Sequence, residues 1–164
     1  ETLDALGAPA AAAPAAAAQA AEVPARGRWY ARPAPPAAGA WRIVATTPAE
    51  VRVVPGELYR FSIHSAATEA DVAALRALAG LDALVYLNLS YCAGVTDAGL
   101  ASLTGLTGVR QLFLRGCPRL TGAGLARLRA LPHLRLLDLA GSDGIAGDAI
   151  AELRRALPGC QVVR

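Results

Sequence analysis

Three stretches of this chain repeat one another at a fixed spacing of 25 residues. Leu84-x-x-Leu87-x-Leu89-x-x-Cys92 returns as Val109-x-x-Leu112-x-Leu114-x-x-Cys117, and again as Leu134-x-x-Leu137-x-Leu139-x-x-Ser142. A unit this short cannot bury its apolar face alone and gains a core only by stacking on its neighbours. The period therefore restricts the fold to a linear array of like supersecondary units, a solenoid.

Within one unit, Leu87 and Leu89 alternate as on a strand, whereas Leu100, Leu103 and Leu106 recur at helical spacing. Each unit then reads strand, turn, helix, turn. A strand that returns to a parallel neighbour through a helix makes a right-handed crossover, so the strands should form a parallel sheet on one side with the helices on the other. Thr96 and Thr121 stand where a helix N-cap is needed, and Asp97 puts negative charge in the first turn, where the helix dipole favours it. The last unit has Ala146 in the Thr position. Gly99 and Gly124 share a register where glycine costs a helix about 0.5–1 kcal/mol relative to Ala. Their recurrence points either to close packing between turn and strand or to a frayed helix start.

These residues, with Val95-Thr96-Asp97-Ala98-Gly99-Leu100 matched by Leu120-Thr121-Gly122-Ala123-Gly124-Leu125, resemble the leucine-rich repeat family. The similarity is to its cysteine-containing subclass, the ribonuclease-inhibitor-like and F-box-associated repeats, and it covers roughly residues 58–164. It implies an α/β fold, a right-handed solenoid with a parallel β-sheet on the concave face and helices on the convex face. Substrate receptors of ubiquitin ligases use similar repeats; the resemblance extends to the repeats alone.

Upstream, Tyr59-Arg60-Phe61-Ser62-Ile63 alternates like a strand, and Leu75, Leu78, Leu81 and Leu84 lie 25 residues before Leu100, Leu103, Leu106 and Val109. Phe61 and Ile63 lie 26 before Leu87 and Leu89, so the loop after this first strand should hold one extra residue. Thr68 and Asp71 can cap its helix. At the other end, Leu157-x-x-Cys160-x-x-Val163 follows Leu106-x-x-Val109-x-x-Leu112 at an offset of 51, the start of a fifth strand. About four repeats are expected.

Residues 1–40 hold 18 Ala and 6 Pro, with almost nothing large and apolar before Trp29. Such a composition cannot build a core, and it predicts a disordered tether in which Trp29 and Tyr30 either dock back or mark a linear motif. The acidic start at Glu1 and Asp4 does not fit a signal peptide. With no Met in the sequence, the chain is expected to begin inside a longer or processed polypeptide; Arg26, Arg28 and Arg32 among Ala and Pro leave an organelle transit segment open. Residues 41–57, with short strands at 41–44 and 51–54 and a turn at Pro55-Gly56, predict a small β-rich cap over the sheet edge, with Trp41 in its core.

Cys92 and Cys117 should stack about 4.8 Å apart along the array. That spacing permits a disulfide, whereas the resemblance implies buried thiols bonded to loop backbone, which suit a reducing, intracellular compartment. Cys160 takes a core position. No metal site or cofactor is expected from three separated cysteines and two histidines. All 16 basic residues are arginines, and residues 109–164 hold nine of them against four acids. That excess can attract RNA or an acidic surface, but Arg110 and Arg135 lie at strand starts while Arg129 and Arg154 share a helix column opposite.

Residues between the inward strand leucines face outward in three columns: Arg60/Tyr86/Gln111/Leu136, Ser62/Asn88/Phe113/Asp138 and His64/Ser90/Arg115/Ala140. Phe113 beside Tyr86 and Arg115 is the expected anchor for a partner, with Arg60 in the same surface and Asn88 and Asp138 supplying directional hydrogen bonds. His64, Ser90 and Asp138 do not form a catalytic set, because Asp138 stands roughly 10 Å beyond Ser90 at the strand spacing. The expected function is a non-catalytic module presenting its concave sheet to a protein partner. The alternative is an assembly subunit, of a ribonucleoprotein for example, that uses the basic C-terminal repeats. No membrane segment is expected.

Overall fold

The computed structural model describes residues 19–37 and 39–164, in an α/β arrangement. Among them, seven strands form one sheet in the order β2-β1-β3-β4-β5-β6-β7. These are β1 (Gln19–Pro33), β2 (Arg42–Val53), β3 (Glu57–Ile63), β4 (Leu84–Asn88), β5 (Gln111–Phe113), β6 (Leu136–Asp138) and β7 (Gln161–Val163). From β3 onward every pair is parallel, and β1 is antiparallel to both β2 and β3. The helices are α1 (Glu69–Ala74), α2 (Asp97–Ala101), α3 (Gly122–Leu125) and α4 (Gly147–Ala156), and 3-10 turns at Leu75–Leu78 and Ala126–Ala130 continue α1 and α3.

The repeat is carried directly into the pairing. Leu87, Leu112, Leu137 and Val162 are successive partners across β4 to β7, each 25 residues from the last. They join the helix-side residues Val72, Leu75, Leu100, Leu103, Leu125, Leu128, Ile150 and Leu153 in one buried cluster. Fully burying such side chains is worth about 1.5–3 kcal/mol each before entropy is charged, and in this arrangement only neighbouring units can supply the cover.

Side chains at the helix starts link one unit to the next. Thr68 and Asp71 form a reciprocal capping box on α1, Thr96 Oγ1 accepts from Gly99 N and Thr121 Oγ1 accepts from Ala123 N; Ala146 provides no side-chain cap for α4. Thr96 Oγ1 also donates to Glu69 of the preceding unit at 2.9 Å. Thr121 donates to Asp97 through both its backbone N–H and its hydroxyl. The recurrent glycines have the same cause. A Cβ on Gly99 would press on Val72 at 3.0 Å, and one on Gly124 would strike Asp97. The close approach is therefore between neighbouring helices, where a turn-against-strand contact was one expectation.

Several boundaries differ from the sequence expectation. Residues 19–33, assigned to a disordered tether, form the longest strand of the sheet; residues 1–18 lie outside the described residues. Ala25, Gly27, Trp29 and Ala31 face the core while Arg26, Arg28, Tyr30 and Arg32 face away, so small residues and one large ring fill the inner face. Trp29 is fully buried against Tyr59 and Phe61, with ring centroids 6.1 and 5.3 Å away. Trp41, expected in the core, is only half-buried and lies under the Arg32 guanidinium, 5.1 Å from its ring centroid. In place of two short cap strands, one continuous β2 hydrogen-bonds along β1.

The end strands each drop a residue. Tyr59 pairs with Leu84 but Arg60 pairs with Tyr86, an irregularity at the start of β3, and the extra residue expected after this strand restores the helix offset to 25. In β7 the residue paired with Leu137 is Val162, and Val163 pairs with Asp138. The offset of 51 through Val163 is thus wrong by one within the strand. A one-residue slip exchanges the faces of a strand, and Val162 is the buried residue while Val163 is half-buried.

Candidate interaction surface

Away from the helices, the strands present the first two columns in the expected registers: Arg60, Tyr86, Gln111 and Leu136 are partnered in turn, as are Ser62, Asn88, Phe113 and Asp138. The first column begins one strand earlier than the sequence suggested, because Tyr30 of β1 pairs with Arg60. The Arg60 guanidinium is held between two rings, 4.6 Å from the Tyr30 centroid and 4.7 Å from that of Tyr86. Tyr86 in turn stacks on Phe113 at 4.8 Å with the planes 28° apart. Tyr30, Arg60, Tyr86 and Phe113 thus form one face-to-face stack across β1, β3, β4 and β5.

A guanidinium is flat, permanently charged and less tightly hydrated than an ammonium, so it fits between aromatic faces at small desolvation cost. Arg60 Nε is buried without a hydrogen-bond partner, which leaves ring contact as the interaction that orients it. Burial pushes the Tyr86 hydroxyl upward, as do Asp138 and Tyr30, with Arg60 pulling against them. The phenol is accordingly neutral near pH 7 and able both to donate and to accept.

Asn88 and Asp138 occupy equivalent strand ends and make the same bond. Asn88 Oδ1 accepts from Ser90 N and Asp138 Oδ1 from Ala140 N, both at 3.0 Å. Asp138 is buried, and its other oxygen receives Arg115 Nε at 2.9 Å. The expectation that Asp138 offers hydrogen bonds to a partner is therefore corrected: the carboxylate holds its own strand end and Arg115. Arg115 itself is exposed and its backbone N–H donates to Ser90 Oγ at 3.2 Å. Of the six residues proposed from sequence, Arg60, Tyr86 and Phe113 come together, Asp138 and Arg115 form an adjacent ion pair, and Asn88 sits between, pairing with Phe113 in the register.

Two residues of this surface were not assigned to it from the sequence. Tyr30, left between docking back and marking a linear motif, was not placed in a column, although the alternation of Arg26, Arg28, Tyr30 and Arg32 with Ala25, Gly27, Trp29 and Ala31 is a strand signal. Tyr91 is 68% exposed and has a left-handed backbone, φ 57°. Its equivalents in the next two units are Gly116 and Gly141, at φ 58° and 72°, so the 25-residue alignment places a bulky side chain in a glycine column.

His64, Ser90 and Asp138 each find other partners: His64 Nδ1 accepts from Ala66 N, and Ser90 and Asp138 are engaged as described. The three cysteines are free and buried. Cys92 Sγ donates to Ala67 O and Cys117 Sγ to Leu89 O, and Ser142 Oγ makes the corresponding bond to Leu114 O. Desolvation raises Cys117 and Cys160 to about 11, which leaves them protonated and poor nucleophiles at neutral pH. The C-terminal arginines are engaged within the chain: Arg129 pairs with Glu152, and Arg154 and Arg164 donate to the carbonyls of Val162 and Ile145. Among the described residues there is no cluster of three metal-ligating side chains, and no helix is long and apolar enough to cross a membrane. Compared with known protein families and with curated proteins, the chain matches none.

Proposed function

We propose that residues 58–164 are a leucine-rich-repeat solenoid of the cysteine-containing kind, and that the chain is a non-catalytic binding module whose open sheet face grips a protein partner. The 25-residue steps of the parallel ladder and the thiol and hydroxyl bonds from Cys117 and Ser142 to the preceding strand ends support the first part. The stack of Tyr30, Arg60, Tyr86 and Phe113 carries the second. Tyr and Arg concentrate binding energy at interfaces. Here their side chains are already ordered by one another, so docking on them forfeits little rotamer entropy. Arg115, tied to Asp138, adds a fixed positive group at the rim.

The test is capture of a partner by the tagged chain, followed by its loss on substitution. Tyr86→Ala and Phe113→Ala should each weaken capture about tenfold or more, as removal of a central aromatic contact implies, while the thermal midpoint stays near that of the unsubstituted chain. Arg129→Ala, on the helix side, should leave capture unchanged. Equal capture by all four proteins would sink the reading.

A further inference from the structure

Where β1, β2 and the end of β3 meet, the sheet face holds a cavity of about 550 Å³ that adjoins the aromatic stack at Tyr30. Its polar lining includes Arg26, Arg28, Tyr30, Thr46, Thr47 and His64, and among the described residues no carboxylate lines it. Arg28 makes no ion pair among those residues. Arg26 is only loosely neutralised, its Nε 3.8 Å from Asp71 and its side chain 58% exposed. His64 Nδ1 accepts from Ala66 N at 3.1 Å, so a neutral ring keeps its proton on Nε2 and acts there as a donor.

The cavity therefore gathers two guanidiniums, an imidazole N–H and hydroxyls, and Asp71 reaches Arg26 alone, from outside the lining. Donors in that excess match an anion, and there are more of them than the two oxygens of a carboxylate engage. Tyr30, Pro48 and Ile63 add apolar wall, and the volume lies within the roughly 300–1,000 Å³ of small-ligand sites. We propose that this cavity binds a phosphomonoester, its phosphate held by Arg28 and Arg26 and its organic part against Tyr30 and Ile63. A free small molecule and a phosphorylated side chain present the same group.

Titration of the ¹⁵N-labelled full chain by NMR tests this directly, with phenyl phosphate for a free ligand, a phosphoserine peptide flanked by alanines for a modified side chain, and benzoate for a carboxylate. At least one phosphate probe should shift the amides of Thr46, Ser62 and His64 saturably, and the tighter of the two identifies the source. Arg28→Gln should weaken that binding about tenfold, as loss of one charge-assisted contact implies, and Arg26→Gln should weaken it as well. No saturable shift with either phosphate, unchanged affinity in Arg28→Gln, or benzoate binding as tightly as phenyl phosphate would each overturn the assignment. None of these results depends on the partner captured by Tyr86 and Phe113.

Discussion

Tyr91 and Gly116 occupy equivalent places in successive units, and both backbones are left-handed, at φ 57° and 58°. The ring of Tyr91 covers the next position so closely that a Cβ added to Gly116 would lie 2.6 Å from Tyr91 Cδ1. In a side-chain-bearing residue this backbone conformation costs about 1–2 kcal/mol, and the neighbouring units avoid it with glycine.

Gly116→Ala should therefore lose the dihedral cost and also displace the Tyr91 ring, a total of about 2 kcal/mol or more in urea denaturation. Tyr91→Gly relieves strain, partly offset by about 0.5–1 kcal/mol of added backbone entropy, and should be neutral to mildly stabilising. Made together, the two should cost less than the sum of their separate effects. Strict additivity would show that ring and loop do not touch.

Trp29 and Trp41 should respond in opposite ways to truncation. Trp29→Ala empties a fully buried site between Tyr59 and Phe61 and should cost about 3–5 kcal/mol. Trp41→Ala removes a half-buried ring held by Arg32 and should cost about 1 kcal/mol or less. Thermal melts of the two variants decide; similar losses would place both rings in the core.

The contrast between these tryptophans shows what the sequence could reveal. Inward Leu87, Leu112 and Leu137 were legible because each unit meets its own copy, so a period along the chain becomes a neighbour in space. Trp29 was not, since β1 has few apolar residues of its own and gains its strand form from β3 on one side and β2 on the other. Composition measures what a segment can bury alone; Ala25, Gly27 and Ala31 matter because they let larger residues of other strands approach. Gly27 shows this best, lying so close to the Phe61 ring that a Cβ would collide with it. On the outer face, Phe113 and Tyr86 were found by their column, whereas the turn that brings Asp138 Oδ1 to Ala140 N and the ion pair that takes its other oxygen to Arg115 leave no mark in a column.

Acid should loosen the first unit in a traceable way. Desolvation opposes ionisation of Asp71, but hydrogen bonds from the Thr68 backbone and hydroxyl and from Arg26 N outweigh it and hold the carboxyl below its ordinary value. A depressed carboxyl contributes stability that is complete above its unfolded pKa of about 3.9 and is lost as pH falls through the lower folded value. Asp71→Asn should accordingly reduce stability near neutral pH and flatten the decline below about pH 4. Parallel pH–stability curves for the two proteins would exclude the contribution.

For the thiols the sign is reversed. Cys117 and Cys160, raised to about 11 by desolvation, favour folding fully below the unfolded value of about 8.5, and that contribution fades as pH rises toward 11. Disulfide-exchange reagents at pH 8 should label the folded chain slowly, at a rate set by opening, and label it completely in denaturant. Rapid labelling of Cys117 in the folded chain would contradict its burial.

Because β1 runs antiparallel between β2 and β3, the row of parallel strands is closed off on that flank, and among the described residues β7 is its last strand on the other. The molecule thus has a built-in direction. A whole 25-residue module spliced between β4 and β6 would push the later strands outward without disturbing the first ones, while any addition before β3 would have to break the long hairpin. Lengthening such a chain, by gene duplication or by design, is consequently easiest inside the parallel row, where each unit meets its own copy.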